Sequence, residues 1–182
     1  MTAHRIFIGF ERTAAAAFWI QRRSILETWH AAAEPPEIIP IVRQGLLLAG
    51  MHKRQLDSLA STEFTYTRFL VPYLTGYEGW ALFMDGDMMA RADLSELFAL
   101  ADPKYAAMVV KHNHKPTEQV KMDGRVQTTY PRKNWSSLVL WNCGHSAARV
   151  LSPHQVDMAP ADWLHQFKWI PDGEIGSLPV EW

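Results

Sequence analysis

The 182-residue chain has one cysteine, Cys143, so it has no internal disulfide framework and fits a reducing compartment. It has no apolar run near the ~18 residues that a membrane span requires. Met1 to Arg5 leads straight into a strand-like segment without the pattern of a secretory leader. A cytoplasmic location is therefore expected. Charge of either sign is also in short supply. The 18 Lys and Arg nearly cancel the 19 Asp and Glu, for a net charge of −1. That balance argues against a general nucleic-acid or anionic-membrane binder. No internal repeat and no low-complexity tract is present. What remains is a globular composition, 48% hydrophobic and 20% charged, spread over a length that suits one domain, 1–182.

The apolar pattern predicts strands alternating with helices. Arg5 to Phe10 reads as a first strand, closed at Gly9. A helix follows from Arg12 to Trp29, with Phe18, Ile25, Leu26 and Trp29 on one face at helical period. Ile38 to Val42 is a second strand, and Pro40 within it implies an edge or a break. A Gly-containing connection runs from Gln44 to Leu59. A helix capped by Ser61 or Thr62 then carries Phe64, Arg68, Leu70 and Val71 and stops near Pro72. Trp80 to Met84 is the next strand. Asp93 caps a helix over 94–100, and Ala106 to Val110 and Ser137 to Trp141 are further buried strands. The alternation predicts an α/β sandwich with a mainly parallel sheet. Lys111 to Lys133 is polar, contains Pro and Gly, and is long enough to be a functional loop or a hairpin excursion.

Asp85-Gly86-Asp87 follows the Trp80–Met84 run directly. Two carboxylates spaced i, i+2 at a strand end supply hard oxygen ligands for Mg²⁺ or Mn²⁺, and such a cation suits a diphosphate. Asp-Gly is equally a hairpin-turn signal, with Met88-Met89-Ala90 as the return strand. Two features favour the metal reading. A two-residue turn needs no second aspartate, and the preceding strand is apolar at every position, as in a buried parallel strand. In open α/β sheets, ligands bind at the carboxyl ends of such strands.

The stretch around this motif resembles the core of glycosyltransferases with the GT-A fold, and within them the glycogenin- and lipopolysaccharide-galactosyltransferase-like family (family 8-like). Tyr66-Thr67-Arg68, the Trp80–Met84 strand, Asp85-Gly86-Asp87 and Asp93-Leu94-Ser95-Glu96-Leu97 stand in that family's order. More weakly, Ile6 to Glu11 resembles its first strand and nucleotide-binding loop. Asn142-Cys143-Gly144 resembles its Asn-x-Gly, and Asp172-Gly173-Glu174 its Asp-Gln-Asp, with glycine in place of the glutamine.

The resemblance implies a three-layer GT-A sandwich and metal-dependent transfer of a sugar from a nucleotide-diphosphate donor, UDP-linked, with retention. The acceptor would be a saccharide, a lipid-linked molecule or a protein. Asp85 and Asp87 would hold Mn²⁺ or Mg²⁺, and Arg68 would contact the donor sugar and steady Asp85. Gly9, Phe10, Glu11 and Arg12 would hold base and ribose, and Gly86 would let the backbone approach the ligand. Asn142 and Gly144 would join the donor site, and Asp172 and Glu174 would face the sugar or the acceptor.

Lys111 and His112, with His114 and Lys115, form a cationic cluster suited to a departing nucleoside diphosphate. Lys121, Arg125, Arg132 and Lys133 extend it toward an anionic acceptor. Five of the eight tryptophans (Trp135, Trp141, Trp163, Trp169 and Trp182) fall in the last 48 residues, where they suit either a core or a sugar face. Cys143 has no base partner in the pattern and reads as a small buried residue.

The family's third metal ligand is a histidine in a C-terminal His-x-x-Gly-type element. The chain ends at Val180-Glu181-Trp182 before any such element. Three expectations follow: another histidine substitutes, the cation keeps an extra water, or the domain is shortened at its C-terminus. The competing readings are a nucleotidyltransferase, disfavoured because no Gly-rich, lysine-containing loop stands near the N-terminus, and a nucleotide-sugar-binding domain without turnover.

Overall fold

The computed structural model describes residues 4–30, 34–56, 60, 62–112, 132 and 134–182. Six strands make one sheet: β1 (Arg5–Gly9), β2 (Glu37–Ile41), β3 (Trp80–Met84), β4 (Ala107–Val110), β5 (Leu138–Asn142) and β6 (Ile175–Leu178). Their order across the sheet is β2-β1-β3-β5-β4-β6. β1 is parallel to β2 and β3, and β4 is parallel to β6, whereas β5 runs antiparallel to both its neighbours. Reversing one strand between β3 and β4 restores the direction of all the others. The expected mainly parallel sheet is present, with one antiparallel member that the apolar run of β5 does not signal. Pro40 lies on β2, the outermost strand, where a missing N–H costs the ladder little.

Both faces of the sheet are covered, which is why the central strands are apolar at nearly every position. One face buries Phe7, Ala81, Phe83, Val109, Val139 and Trp141. Against it lie a 3₁₀ segment (Thr67–Leu70) leading into α3 (Val71–Leu74), then α5 (Pro153–Met158) and α6 (Ala161–His165). The other face buries Ile6, Ile8, Leu82, Met84, Met108 and Leu140 under α1 (Ala15–Thr28) and α4 (Leu94–Ala99). The result is a three-layer α/β/α sandwich. Trp141, Trp163 and Trp169 belong to the first face: Trp163 and Trp169 stack with centroids 4.8 Å apart, and Trp141 stacks on Trp169 at 6.5 Å. Trp141 is part of the core, and the partly buried Trp163 and Trp169 pack against it.

Several local expectations are met. Asp93 caps α4, its Oδ1 accepting the Ser95 N–H at 2.9 Å. β3 pairs with β1 and β5 and residues 88–90 form no strand, so Asp85-Gly86 does not turn a hairpin. Others differ. Pro72 opens α3 instead of ending a helix, a position where its missing N–H is no loss. Within the connection read from Gln44 to Leu59, Arg43–Leu48 forms the short helix α2. Of the polar stretch 111–133, His114, Lys115, Lys121, Arg125 and Lys133 lie outside the described residues.

Candidate active site

The parallel strands aim their carboxyl ends at one edge of the sheet, and Gly9 (end of β1) and Asp85 (just past β3) meet there. The closeness is set by two glycines. A Cβ on Gly86 would lie 2.3 Å from the Gly9 carbonyl oxygen, and a Cβ on Gly9 would lie 2.5 Å from the Phe64 ring. Gly86 therefore allows two backbone segments to approach each other closely. Beside this junction is a cavity of about 160 Å³ whose walls include Gly9, Glu11, Phe18, Phe64, Gly86 and Asp87.

Arg68 sits in a continuous buried stretch from Phe64 to Val71 and is only 7% exposed. Its Nη1 contacts Asp85 Oδ1 at 2.7 Å and donates to the Ser136 carbonyl at 2.9 Å. Its guanidinium also lies over the Phe64 and Phe83 rings, at 5.1 and 5.3 Å. A buried guanidinium of this kind needs a carboxylate, and Asp85 supplies it.

Burial pushes the Asp85 carboxyl up to about 6, while the positive charge of Arg68 and a hydrogen bond from Ser137 pull it down and the nearby Asp87 pushes it further up. Asp87 itself is exposed. The pair thus has one carboxylate anchored in the core and one open to solvent.

This arrangement fits a hard divalent cation held jointly by two carboxylates and by ligand oxygens. Among the described residues, no third His, Cys, Asp or Glu joins the pair in a group that could hold a metal ion. If the pair holds a cation, protonation of Asp85 would remove a ligand, and cation-dependent binding would weaken as pH falls through about 6. For the free protein the sign is opposite. The folded state binds a proton at Asp85 more tightly than the unfolded state does, so this group's contribution to stability falls as pH rises from about 4 to about 6. Calorimetric titrations across that range check the first statement, and thermal melts check the second.

The loop after β1 divides its labour. Glu11 accepts a hydrogen bond from the Glu63 backbone N–H, and Arg12 Nε pairs with Glu63 Oε1 at 2.9 Å. Gly9 and Glu11 line the cavity, whereas Phe10 packs edge-on against Phe18, with centroids 6.0 Å apart.

Lys111 and His112 follow β4 at the same edge of the sheet. Lys111 Nζ folds back to donate to the Ile175 carbonyl at 2.7 Å, and it lies 5.6 Å from the centre of the Trp135 ring. Arg132 covers the same ring at 5.6 Å and pairs with Asp172.

Asn142, Gly144 and Glu174 are at the other end. Asn142 stands opposite Trp80, the first residue of β3, and its Nδ2 donates to the Tyr105 carbonyl at 3.1 Å. The Glu174 carbonyl accepts the Ala106 N–H ahead of β4, and its carboxylate is 4.0 Å from His145 Nε2. The antiparallel course of β5 and the parallel course of β6 put these residues a strand's length from Asp85. Cys143 is fully buried, and burial pushes its thiol up to about 11, which leaves it inert at neutral pH.

Four residues at the site carry no sequence signal of their own. Gln21 and Ser24 of α1 reach the Asp85–Ala90 segment. Ser136 joins Arg68 to His165, whose Nδ1 is 2.9 Å from the Ser136 Oγ. Burial, reinforced by repulsion from Arg68 and Arg54, pushes His165 down to about 3, so it is neutral beside the Arg68–Asp85 pair.

No known protein-family profile matches the chain. Protein CDI of Arabidopsis thaliana is 46% identical over 178 residues, covering 98% of this chain and 68% of that protein. The chain belongs to the family of Protein CDI.

Solved structures place this CDI-family chain among proteins of one architecture. It superposes on the bifunctional glycosyltransferase WbbM with a TM-score of 0.59 at 15% identity, all of this chain matching 39% of WbbM. Mouse xyloside xylosyltransferase 1 gives 0.59 at 11% identity, covering the whole of this chain and 87% of the enzyme. The galactosyltransferase LgtC, solved with donor and acceptor sugar analogs, gives 0.55 at 13% identity over 95% of this chain and 72% of LgtC. At these identities the match establishes that the CDI-family chain has the fold of these glycosyltransferases.

Proposed function

We propose that the protein is a glycosyltransferase that binds a nucleoside-diphosphate sugar at the carboxyl ends of β1 and β3 and transfers the sugar to an acceptor. The observation that carries this reading is the Arg68–Asp85 pair, 2.7 Å apart and mostly buried, set beside exposed Asp87 at the rim of the Gly9–Phe64 cavity. The resemblance to the family 8-like enzymes adds the UDP-linked donor and the retained anomeric configuration.

Asp85 and Asp87 would hold Mn²⁺ or Mg²⁺. When bound, the cation supplies a Lewis acid that stabilises charge on the diphosphate leaving group. The protein's own groups do the rest. Arg68 fixes the Asp85 carboxylate and adds a permanent positive charge behind it. Phe18 and Phe64 give the cavity apolar walls suited to a base, and the Glu11 carboxylate offers an acceptor to ribose hydroxyls. As charge leaves the sugar, its ring becomes oxocarbenium-like, as in other glycosyl chemistry.

Titration calorimetry of UDP with and without Mn²⁺ tests the donor site. Metal-dependent binding that disappears in Asp87→Asn supports it; metal-independent binding, or none, sinks it.

A second reading, a nucleotide-sugar-binding domain without turnover, is favoured by one observation. Glu174 stands at the far end of the sheet, and Asp172 is tied to Arg132. Release of UDP from a UDP-sugar with saccharide acceptors present decides between the two.

A further inference from the structure

Helix α1 touches the segment after β3 at two points. Gln21 is completely buried, and its Nε2 donates to the Asp85 carbonyl at 3.1 Å. One helical turn later, the Ser24 hydroxyl accepts the Ala90 N–H at 3.0 Å and donates to the Gln21 carbonyl at 2.8 Å. The two contacts bracket Gly86, Asp87, Met88 and Met89.

We propose that Gln21 and Ser24 form a two-point clamp that positions Asp87, and that the clamp sets how strongly cation binding is coupled to diphosphate binding. The inference rests on the donor-site reading above.

Three observations carry it. Asp87 is exposed, so burial in the core does not orient it as it orients Asp85. A Cβ on Gly86 would lie 2.3 Å from the Gly9 carbonyl oxygen, so the segment already lies close against the end of β1 on one side and is held by α1 at its ends. Gln21 keeps a buried Oε1 without a hydrogen-bond partner. A glutamine is a poor choice for filling that space, where a methionine would leave no orphan acceptor. Its amide donor is what the position uses. Groups that orient metal ligands from behind change metal affinity about tenfold or more when removed, without touching the metal.

Gln21 and Ser24 are positioning residues, and the test separates that role from a structural one. UDP is titrated into the full chain with and without Mn²⁺, and the ratio of the two affinities is the readout. Ser24→Ala and Gln21→Met are each expected to lower this ratio about tenfold, and the double variant more. UDP affinity without metal should stay at the parent value, with a Tm within about 4 °C of the parent. Gln21→Met removes an orphan acceptor while costing the Asp85 carbonyl a donor, so its stability should change little. Ser24→Thr keeps the hydroxyl and should keep the parent ratio.

An unchanged ratio in Ser24→Ala overturns the clamp, and that mild variant decides the matter even if the double variant does not fold. A metal-free affinity and a Tm that fall in step with the ratio overturn it as well, because they show a packing role only. A parent protein with no metal-dependent binding overturns the donor-site reading itself, a result distinct from either.

Discussion

Arg68→Met is expected to lower Tm by about 10 °C and to abolish metal-dependent UDP binding at neutral pH. Removing one partner of a buried ion pair costs about 3–5 kcal/mol, and each kcal/mol shifts Tm by about 2–4 °C in a chain of this size. Arg68 and Asp85 have side chains only 8% and 18% exposed, so neither charge can turn to water when the other is lost. The Asp85 carboxyl already sits at about 6 because of burial, and Arg68 is what restrains it. Without the guanidinium it moves higher and is protonated at neutral pH, so the proposed cation site would lose a ligand even though the aspartate is still present.

A double-mutant cycle makes the argument quantitative. Arg68→Met with Asp85→Asn removes both charges and should recover part of the stability lost in Arg68→Met, while metal-dependent binding stays absent. Thermal denaturation and calorimetry on the four proteins check this. Additive losses of stability would show that the two side chains do not act as a pair.

Gly86→Ala should be nearly as damaging from the change of a single hydrogen to a methyl group. The new Cβ would collide with the Gly9 carbonyl oxygen at 2.3 Å, and backbone oxygen cannot rotate away as the end of a side chain can. Either β1 or the Asp85–Ala90 segment must move. Overpacking of this kind costs about 1–3 kcal/mol or more, equivalent to a Tm loss of about 3–10 °C. A displacement of about 1 Å at a reacting site costs about 10²-fold in rate, so activity should fall further than stability.

Gly173→Ala is the control. A Cβ there has nothing within 4 Å, so both Tm and UDP binding should match the parent. If Gly86→Ala behaves like Gly173→Ala, the close approach of the two strand ends is not what shapes the site.

Where burial on both faces imposes a run of apolar residues, the chain declares its structure openly. Trp80–Met84 is read from sequence with both ends right, and β1, β2, β4 and β5 are located to within a residue. Asp93 is legible as a cap because capping depends on one side chain and its nearest N–H groups.

The direction of β5 is not legible, since an apolar strand looks the same whichever way it runs. That one ambiguity decides where Asn142 and Gly144 go, while the parallel course of β6 places Glu174. α5 and α6 also escape, being six and five residues long and too short to show a helical period. At the site, Asp85-Gly86-Asp87 stands out because charge beside an apolar run is rare, and Arg68 stands out only through its resemblance to the Tyr-x-Arg element of the family 8-like enzymes. Gln21 and Ser24 do not, because a buried polar residue on a helix face looks like any solvated one until its partner 64 or 66 residues away is known.

The antiparallel strand also sets a timetable. The Asp85 N–H bonds to the Ser137 carbonyl, and β3 has β5 as its neighbour on that side, more than 50 residues further along the chain. During synthesis β1, β2 and β3 can associate early, but Asp85 lacks its Ser137 contact and Arg68 its Ser136 carbonyl until β5 has been made. Closing so long a loop is slow beside local helix formation. The carboxylate pair should therefore be among the last parts of the molecule to reach its final geometry.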